Sequence, residues 1–175
     1  MGLPAVMPLP LAQIEWCAPF SGAVRQALHR LKYSAERQLA APLAEAMAAR
    51  WKVAGAGGEL LVPVPAHAER ARRRGYDQAF LLAAGAADRL HVPWHPALER
   101  TRRTAPQFEL GRNARRSNVS GAFALRAGSR TVVQGRWPIL VDDVLTTGST
   151  LVACAEALYD AGAIAVSALT VARER

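Results

Sequence analysis

The sequence predicts an α/β fold, a mainly parallel sheet covered on both faces by helices. Three observations carry this. Leu60 to Val64, Trp137 to Val141 and Ile164 to Val171 are short continuous apolar runs, as strands buried on both faces require. The segments between them repeat apolar residues every three to four positions, the pattern of helices with one buried stripe. Strands alternating with helices pair in parallel through crossovers, and their ligands gather beyond the carboxyl ends of the strands.

At 175 residues the chain fits one domain. Residues 1–20 carry no period and read as an extended lead-in, with the domain proper over 21–175. From Ala23 to Tyr33, Val24, Leu28 and Leu31 share a helix face, while Arg25, His29, Arg30 and Lys32 fall on the others. A second helix is expected from Glu36 to Trp51, stopped by Gly55, Gly57 and Gly58. Leu60 to Val64 is the first buried strand, and Pro63 and Pro65 force a stiff, extended exit. A turn from His67 to Gly75 then carries Arg70, Arg72, Arg73 and Arg74, a place to hold a pyrophosphate or, alternatively, a solvated basic helix end. Tyr76 to Leu90 reads as a helix with Phe80, Ala83, Ala84 and Ala87 inward and Asp77 in its first turn.

Pro93 separates His91 from His95, so these read as loop residues rather than metal ligands. Ala97 to Glu99 is a short strand. Arg100 to Asn118 is long, polar and Arg-rich, the character of a lid or binding loop. Gly121 to Leu125 resumes a strand, and Gly128 to Gln134 reads as a turn into more strand. A helix from Ser149 to Ala161, with Leu151, Cys154, Ala155 and Leu158 in register, ends at Gly162 before the last strand.

The stretch Ile139 to Leu151 holds the most chemistry. A strand ends at Asp142 and Asp143, and a polar loop, Thr146-Thr147-Gly148-Ser149-Thr150, opens into a helix. The first amides of a helix lack intrahelical acceptors, and with the helix dipole they make an anion site. Thr and Ser hydroxyls add donors, and Gly148 admits close approach of an anion. No Lys follows the glycine, which excludes the nucleoside triphosphate P-loop. Two carboxylates one loop from a phosphate suit two neighbouring sugar hydroxyls, directly or near Mg²⁺. The bland alternative is a capped helix after a strand with two surface acids.

The formal charge is +8, and the base is nearly all Arg: 20 Arg against Lys32 and Lys52. Genome composition can produce such a bias, but placement is more informative. Half of the arginines lie in two segments, the basic turn and Arg100, Arg102, Arg103, Arg112, Arg115 and Arg116. That points to a polyanionic partner, a pyrophosphate-bearing metabolite or nucleic acid. Cys17 and Cys154 alone build neither a disulfide framework nor a zinc cluster. No apolar run reaches the ~18 residues of a membrane span, and the proline-rich N-terminus has no basic n-region. A cytoplasmic protein is expected. The four tryptophans read as core or surface anchors.

Several motifs together resemble the ComF family of phosphoribosyltransferase-domain proteins, a bacterial competence and DNA-uptake group. They are Leu31-Lys32-Tyr33, Val62 to Pro65, Arg73 to Gln78, Arg103 to Gln107, Arg115 to Asn118 leading into Gly121-Ala122-Phe123, and Val141 to Thr150. The resemblance covers about residues 20–173. It implies a type I phosphoribosyltransferase-like, Rossmann-like fold that binds Mg²⁺ and phosphoribosyl pyrophosphate (PRPP). Asp142 and Asp143 would take the ribose hydroxyls, serve catalysis and meet Mg²⁺ indirectly. Thr146, Thr147, Gly148, Ser149 and Thr150 would hold the 5-phosphate. Arg70, Arg72, Arg73 and Arg74 would meet the pyrophosphate. Arg103, Thr104, Gln107 and Arg115 would sit on a loop closing over the substrate.

Two departures bear on activity. The family's N-terminal Cys-x-x-Cys zinc module is missing, and the chain begins about where that module would end, leaving open a short form or a late start. Thr146 stands where hypoxanthine-type relatives carry an acid that helps protonate the base, and the last strand has no C-terminal hood after it. The family thus implies two functions. One is transfer of ribosyl phosphate from PRPP, with positioning and charge compensation as the protein's work. The other is a non-catalytic adaptor or regulator, partnered with nucleotide, single-stranded DNA or a competence helicase. A third reading, independent of PRPP, makes both Arg clusters a nucleic-acid track, with few aromatics to stack bases.

Overall fold

The computed structural model describes residues 10–101 and 121–174. In chain order the elements are β1 (Gln13–Pro19), α1 (Gly22–Tyr33), a 3₁₀ turn (Arg37–Leu39), α2 (Ala40–Ala54), β2 (Leu60–Pro63), α3 (Ala68–Arg74) and α4 (Gln78–Leu90). Then come β3 (Leu98–Arg100), β4 (Phe123–Leu125), α5 (Arg130–Val133), β5 (Pro138–Leu145), α6 (Ser149–Asp160) and β6 (Ser167–Arg173). The main sheet has the order β1-β6-β5-β2, every pair parallel. A separate antiparallel ribbon pairs β3 with β4.

The period of two along the strands divides the core into two layers. Leu60, Val62, Leu140 and Ala168 pack on one face with Leu151, Cys154 and Leu158 of α6. Leu61, Ile139, Val141 and Leu169 pack on the other with Leu31 of α1, Met47 of α2 and Leu82 of α4. Each fully buried aliphatic side chain contributes roughly 1.5–3 kcal/mol, so the covered sheet is a rigid platform.

Several expectations need correction. Within the expected extended lead-in of residues 1–20, Gln13–Pro19 forms the edge strand of the main sheet, paired to β6. Its inward Glu15 hides the apolar period, and Arg50 of α2 neutralises that carboxylate through Nε at 2.7 Å. Arg130–Val133 is a helical turn, not strand. Of that turn only Val133 is buried, and one turn is enough to bury it.

The basic turn is itself helical, α3, closed by Gly75 at φ 74°. α4 begins at Gln78, with Asp77 as its cap, and buries Gln78, Ala79, Leu82, Ala83, Ala86 and Ala87 while Phe80 and Ala84 stay half-buried. The second helix starts at Ala40, after the 3₁₀ turn. The last strand starts at Ser167, since Ile164 is exposed. Finally, β5 runs on to Leu145, so Asp142 and Asp143 lie inside the strand rather than beyond it.

Candidate functional site

β2 and β5 are adjacent and parallel, and Val64 N–H donates to the Val141 carbonyl at 2.9 Å. Their continuations, the basic helix α3 and the Thr146 to Thr150 loop, therefore leave the same end of neighbouring strands. That is where an open parallel sheet places ligands.

The loop after β5 is short. Thr146 and Thr147 are exposed, Gly148 is buried, and Ser149 and Thr150 open α6 half-buried. Gly148 caps that helix at φ 79°, a left-handed conformation that disfavours a Cβ. Thr147 Oγ1 lies 2.9 Å from Ser149 Oγ and accepts weakly from Ser149 N–H at 3.4 Å. No acid occupies the first turn of α6, so no carboxylate there offsets the helix dipole.

Strand alternation sends the two acids to opposite faces. Asp143 follows Ile139 and Val141, only 5% exposed, and its Oδ2 accepts from Lys32 Nζ of α1 at 2.7 Å and Gln78 Nε2 of α4 at 3.1 Å. Asp142 follows Leu140 toward α6, and its Oδ1 accepts the Asp143 N–H at 2.8 Å. Burial, reinforced by the Asp143 charge, pushes the Asp142 carboxyl up to about 8, against the pull of that N–H and Lys32. The Cys154 thiol is raised too, first by burial and then by the Asp142 charge. Cys154 is fully buried, in line with its place in the apolar register of this helix.

The basic side is anchored through Asp77. Its Oδ1 accepts from Ala79 N–H at 2.9 Å and its Oδ2 from Ala66 N–H at 2.8 Å, clamping the segment that carries α3 to the start of α4. Burial raises the Asp77 pKa, and Asp143 adds to the rise. Arg72 and Arg73 are exposed. Arg74 is half-buried, donates from Nη1 to Gln78 Oε1 at 2.7 Å and lies over the Tyr33 ring, 5.2 Å from its centroid. The Arg70 side chain, and Arg103, Thr104, Gln107 and Arg115 altogether, lie outside the described residues.

The structure adds two functional candidates to the residues expected from sequence, Lys32 and Gln78, both bonded to Asp143. Lys32 lies in Leu31-Lys32-Tyr33 and Gln78 in Arg73 to Gln78, two of the motifs shared with the family, and Lys32 is one of only two lysines in an arginine-rich chain. No group of three or more His, Cys, Asp or Glu side chains able to hold a metal occurs among the described residues. Two carboxylates suit a hard cation that keeps its waters and ligand phosphates, as Mg²⁺ does, rather than a protein cage. No helix among the described residues is long and apolar enough to cross a membrane.

Comparison with known proteins places this geometry in context. The DNA utilization protein YhgH of Escherichia coli K12 is 34% identical over 165 residues, 91% of this chain and 71% of that protein. Competence protein F of Haemophilus influenzae is 42% identical over 94 residues, 53% of this chain and 41% of that protein. Among solved structures, the allosteric regulatory enzyme of purine biosynthesis superposes with a TM-score of 0.51 at 20% identity, over 75% of this chain and 26% of that one. That likeness concerns the fold, which is type I phosphoribosyltransferase-like as expected. No protein-family model matches the chain.

Proposed function

The chain belongs to the ComF family, with DNA utilization protein YhgH and competence protein F as relatives, and on that premise we propose that it binds Mg²⁺-PRPP or another ribose 5-phosphate ligand in the service of DNA uptake. The observation that carries this reading is the join of β5 to α6. Two residues after an acid pair, a polar loop begins that leads into a glycine-capped helix start without a local acid, and one member of the pair has its pKa raised to about 8. A phosphate would take the Thr146 to Thr150 loop. Asp142 and Asp143 point to opposite faces, so a pentose meeting both would lie across the carboxyl end of β5. The diphosphate would reach the exposed Arg72 and Arg73 from the neighbouring strand.

In this reading Asp142 and Asp143 would meet Mg²⁺ indirectly, and the ion, when bound with the diphosphate, would supply charge neutralisation. The chain's own residues bind, orient and balance charge. Thr146 offers no proton at neutral pH, so an acceptor base would have to be activated elsewhere. Calorimetric titration with Mg²⁺-PRPP tests the reading. Asp142→Asn and Asp143→Asn should each weaken binding at least about tenfold, the scale of one lost charge-assisted hydrogen bond. Unchanged affinity in both variants would refute the assignment. Release of pyrophosphate with any purine, pyrimidine or orotate acceptor would make the protein an enzyme, and binding without turnover would make it an adaptor or sensor.

One observation favours a second reading, a nucleic-acid module that partners single-stranded DNA or a competence helicase. Tyr33 is 66% exposed beside Arg74, with the His29 ring 4.8 Å away. The stacking aromatics thus exceed those evident along the chain. Steeply salt-dependent binding of single-stranded DNA that PRPP cannot displace would support it, and salt-insensitive or absent binding would exclude it.

A further inference from the structure

The basic helix and the acid strand are joined by a closed ring of side chains. Lys32 Nζ meets Asp143 Oδ2 at 2.7 Å, Gln78 Nε2 donates to the same oxygen at 3.1 Å, and Gln78 Oε1 accepts from Arg74 Nη1 at 2.7 Å. Arg74 then packs over Tyr33, the chain neighbour of Lys32. Four elements, α1, α3, α4 and β5, contribute to this ring. Gln78 is its central member, 8% exposed at the first position of α4, just after the Asp77 cap.

We propose that Gln78 is a positioning residue that sets Arg74 and Asp143 together, so that the diphosphate-binding and ribose-binding halves of the site form as one unit. The chemistry of the amide singles it out. One end must accept from a guanidinium while the other donates to a carboxylate, and among side chains of this length only a primary amide does both. A glutamate would keep the bond to Arg74 but set a second negative charge against Asp143. A methionine would fill the volume and make neither bond. The two partners also fix the amide's orientation, because a flipped amide would aim its oxygen at Asp143 and its NH₂ at Arg74. Lys32 holds the other side of Asp143, so the carboxylate has a defined direction before any ligand arrives. Arg74, stacked on Tyr33 and tethered to Gln78, gives up less side-chain freedom on binding than the exposed Arg72 and Arg73.

This inference rests on the ribose 5-phosphate reading, and its test separates the two. Mg²⁺-PRPP, ribose 5-phosphate with Mg²⁺, and inorganic pyrophosphate are titrated into the wild type, Gln78→Met, Gln78→Glu, Arg74→Ala and the double variant Q78M/R74A, with the melting temperature of each recorded. The expected result is that Q78M and Q78E both lose about tenfold or more in PRPP affinity, and that Q78M costs under about threefold once Arg74 is gone. Ribose 5-phosphate and pyrophosphate should each weaken in Q78M, because one amide serves both halves. A Q78M penalty that is the same with and without Arg74 would reduce Gln78 to a packing residue and overturn the proposal, as would PRPP affinity unchanged in folded Q78M or Q78E. If Q78M proves unfolded, Gln78→Leu compared with Q78L/R74A makes the same test, since leucine also lacks both bonds. A wild type that binds none of the three probes refutes the site reading itself and this role with it. A wild type that binds while the cycle shows no coupling overturns this role alone.

Discussion

Replacing Asp142 with asparagine removes the ionisable group from a half-buried carboxyl position of β5. The Asp142 carboxyl is pushed from 3.8 to about 8 by burial and by Asp143. Unfolded, it ionises near 4, while folded it keeps its proton until about pH 8. The unfolded state therefore binds fewer protons over that interval, and stability falls as pH rises through it. The native aspartate costs nothing below pH 4 and most above pH 8. A shift of roughly four units at about 1.4 kcal/mol each sets a ceiling of about 6 kcal/mol. Asp142 is only half-buried and solvent screens part of the cost, so the gain expected at pH 8.5 is roughly half that ceiling, about 3 kcal/mol. Urea unfolding of the wild type and D142N at pH 4 and pH 8.5 measures it. The asparagine variant should match the wild type at pH 4 and exceed it at pH 8.5, while losing ligand affinity at both. Equal stability at the two pH values, or an asparagine variant less stable at pH 8.5, would refute the claim that this acid is held at a cost for function.

Lys32→Met strands Asp143 beside a single amide donor and should cost about 3–5 kcal/mol in the same unfolding assay, the penalty of breaking a buried pair; a loss below about 1 kcal/mol would mean that solvent replaces the lysine. Gly148→Ala forces a Cβ into φ 79° and should cost about 1–2 kcal/mol while weakening ribose 5-phosphate binding, read by thermal melting with and without that ligand. Arg72→Ala with Arg73→Ala should leave stability within about 0.5 kcal/mol, since both are exposed, and lower pyrophosphate affinity and its salt dependence.

The covered sheet was legible because its strands are uniformly apolar. Leu60 to Val64 and Ile139 to Val141 are buried on both faces, so each declares itself without regard to partners. β1 escaped notice because Glu15 interrupts its apolar pattern, and the residue that neutralises it, Arg50, lies 35 positions away. Thr131-Val132-Val133 has a strand's composition, but it forms one helical turn that buries Val133 and packs Val132 partly against the same core. The phosphate loop was legible as a local string whose amides and glycine act within a few residues. Lys32 and Gln78 were not assigned because their roles arise from crossings of α1 and α4 over β5. Gln78 and Asp143 are 65 residues apart in the chain and 3.1 Å apart in space. The opposite facing of Asp142 and Asp143 follows from strand period, and it was hidden because the strand reads as ending at the two acids when it continues to Leu145.

The most direct measurement is a crystal structure of the protein grown with Mg²⁺ and PRPP. A 5-phosphate seated against the Thr146 to Thr150 amides, ribose hydroxyls on Asp142 and Asp143, and diphosphate at Arg72, Arg73 and Arg74 is the predicted result. A ligand held by the arginines alone, its phosphate away from the start of α6 and its sugar clear of both aspartates, would contradict it.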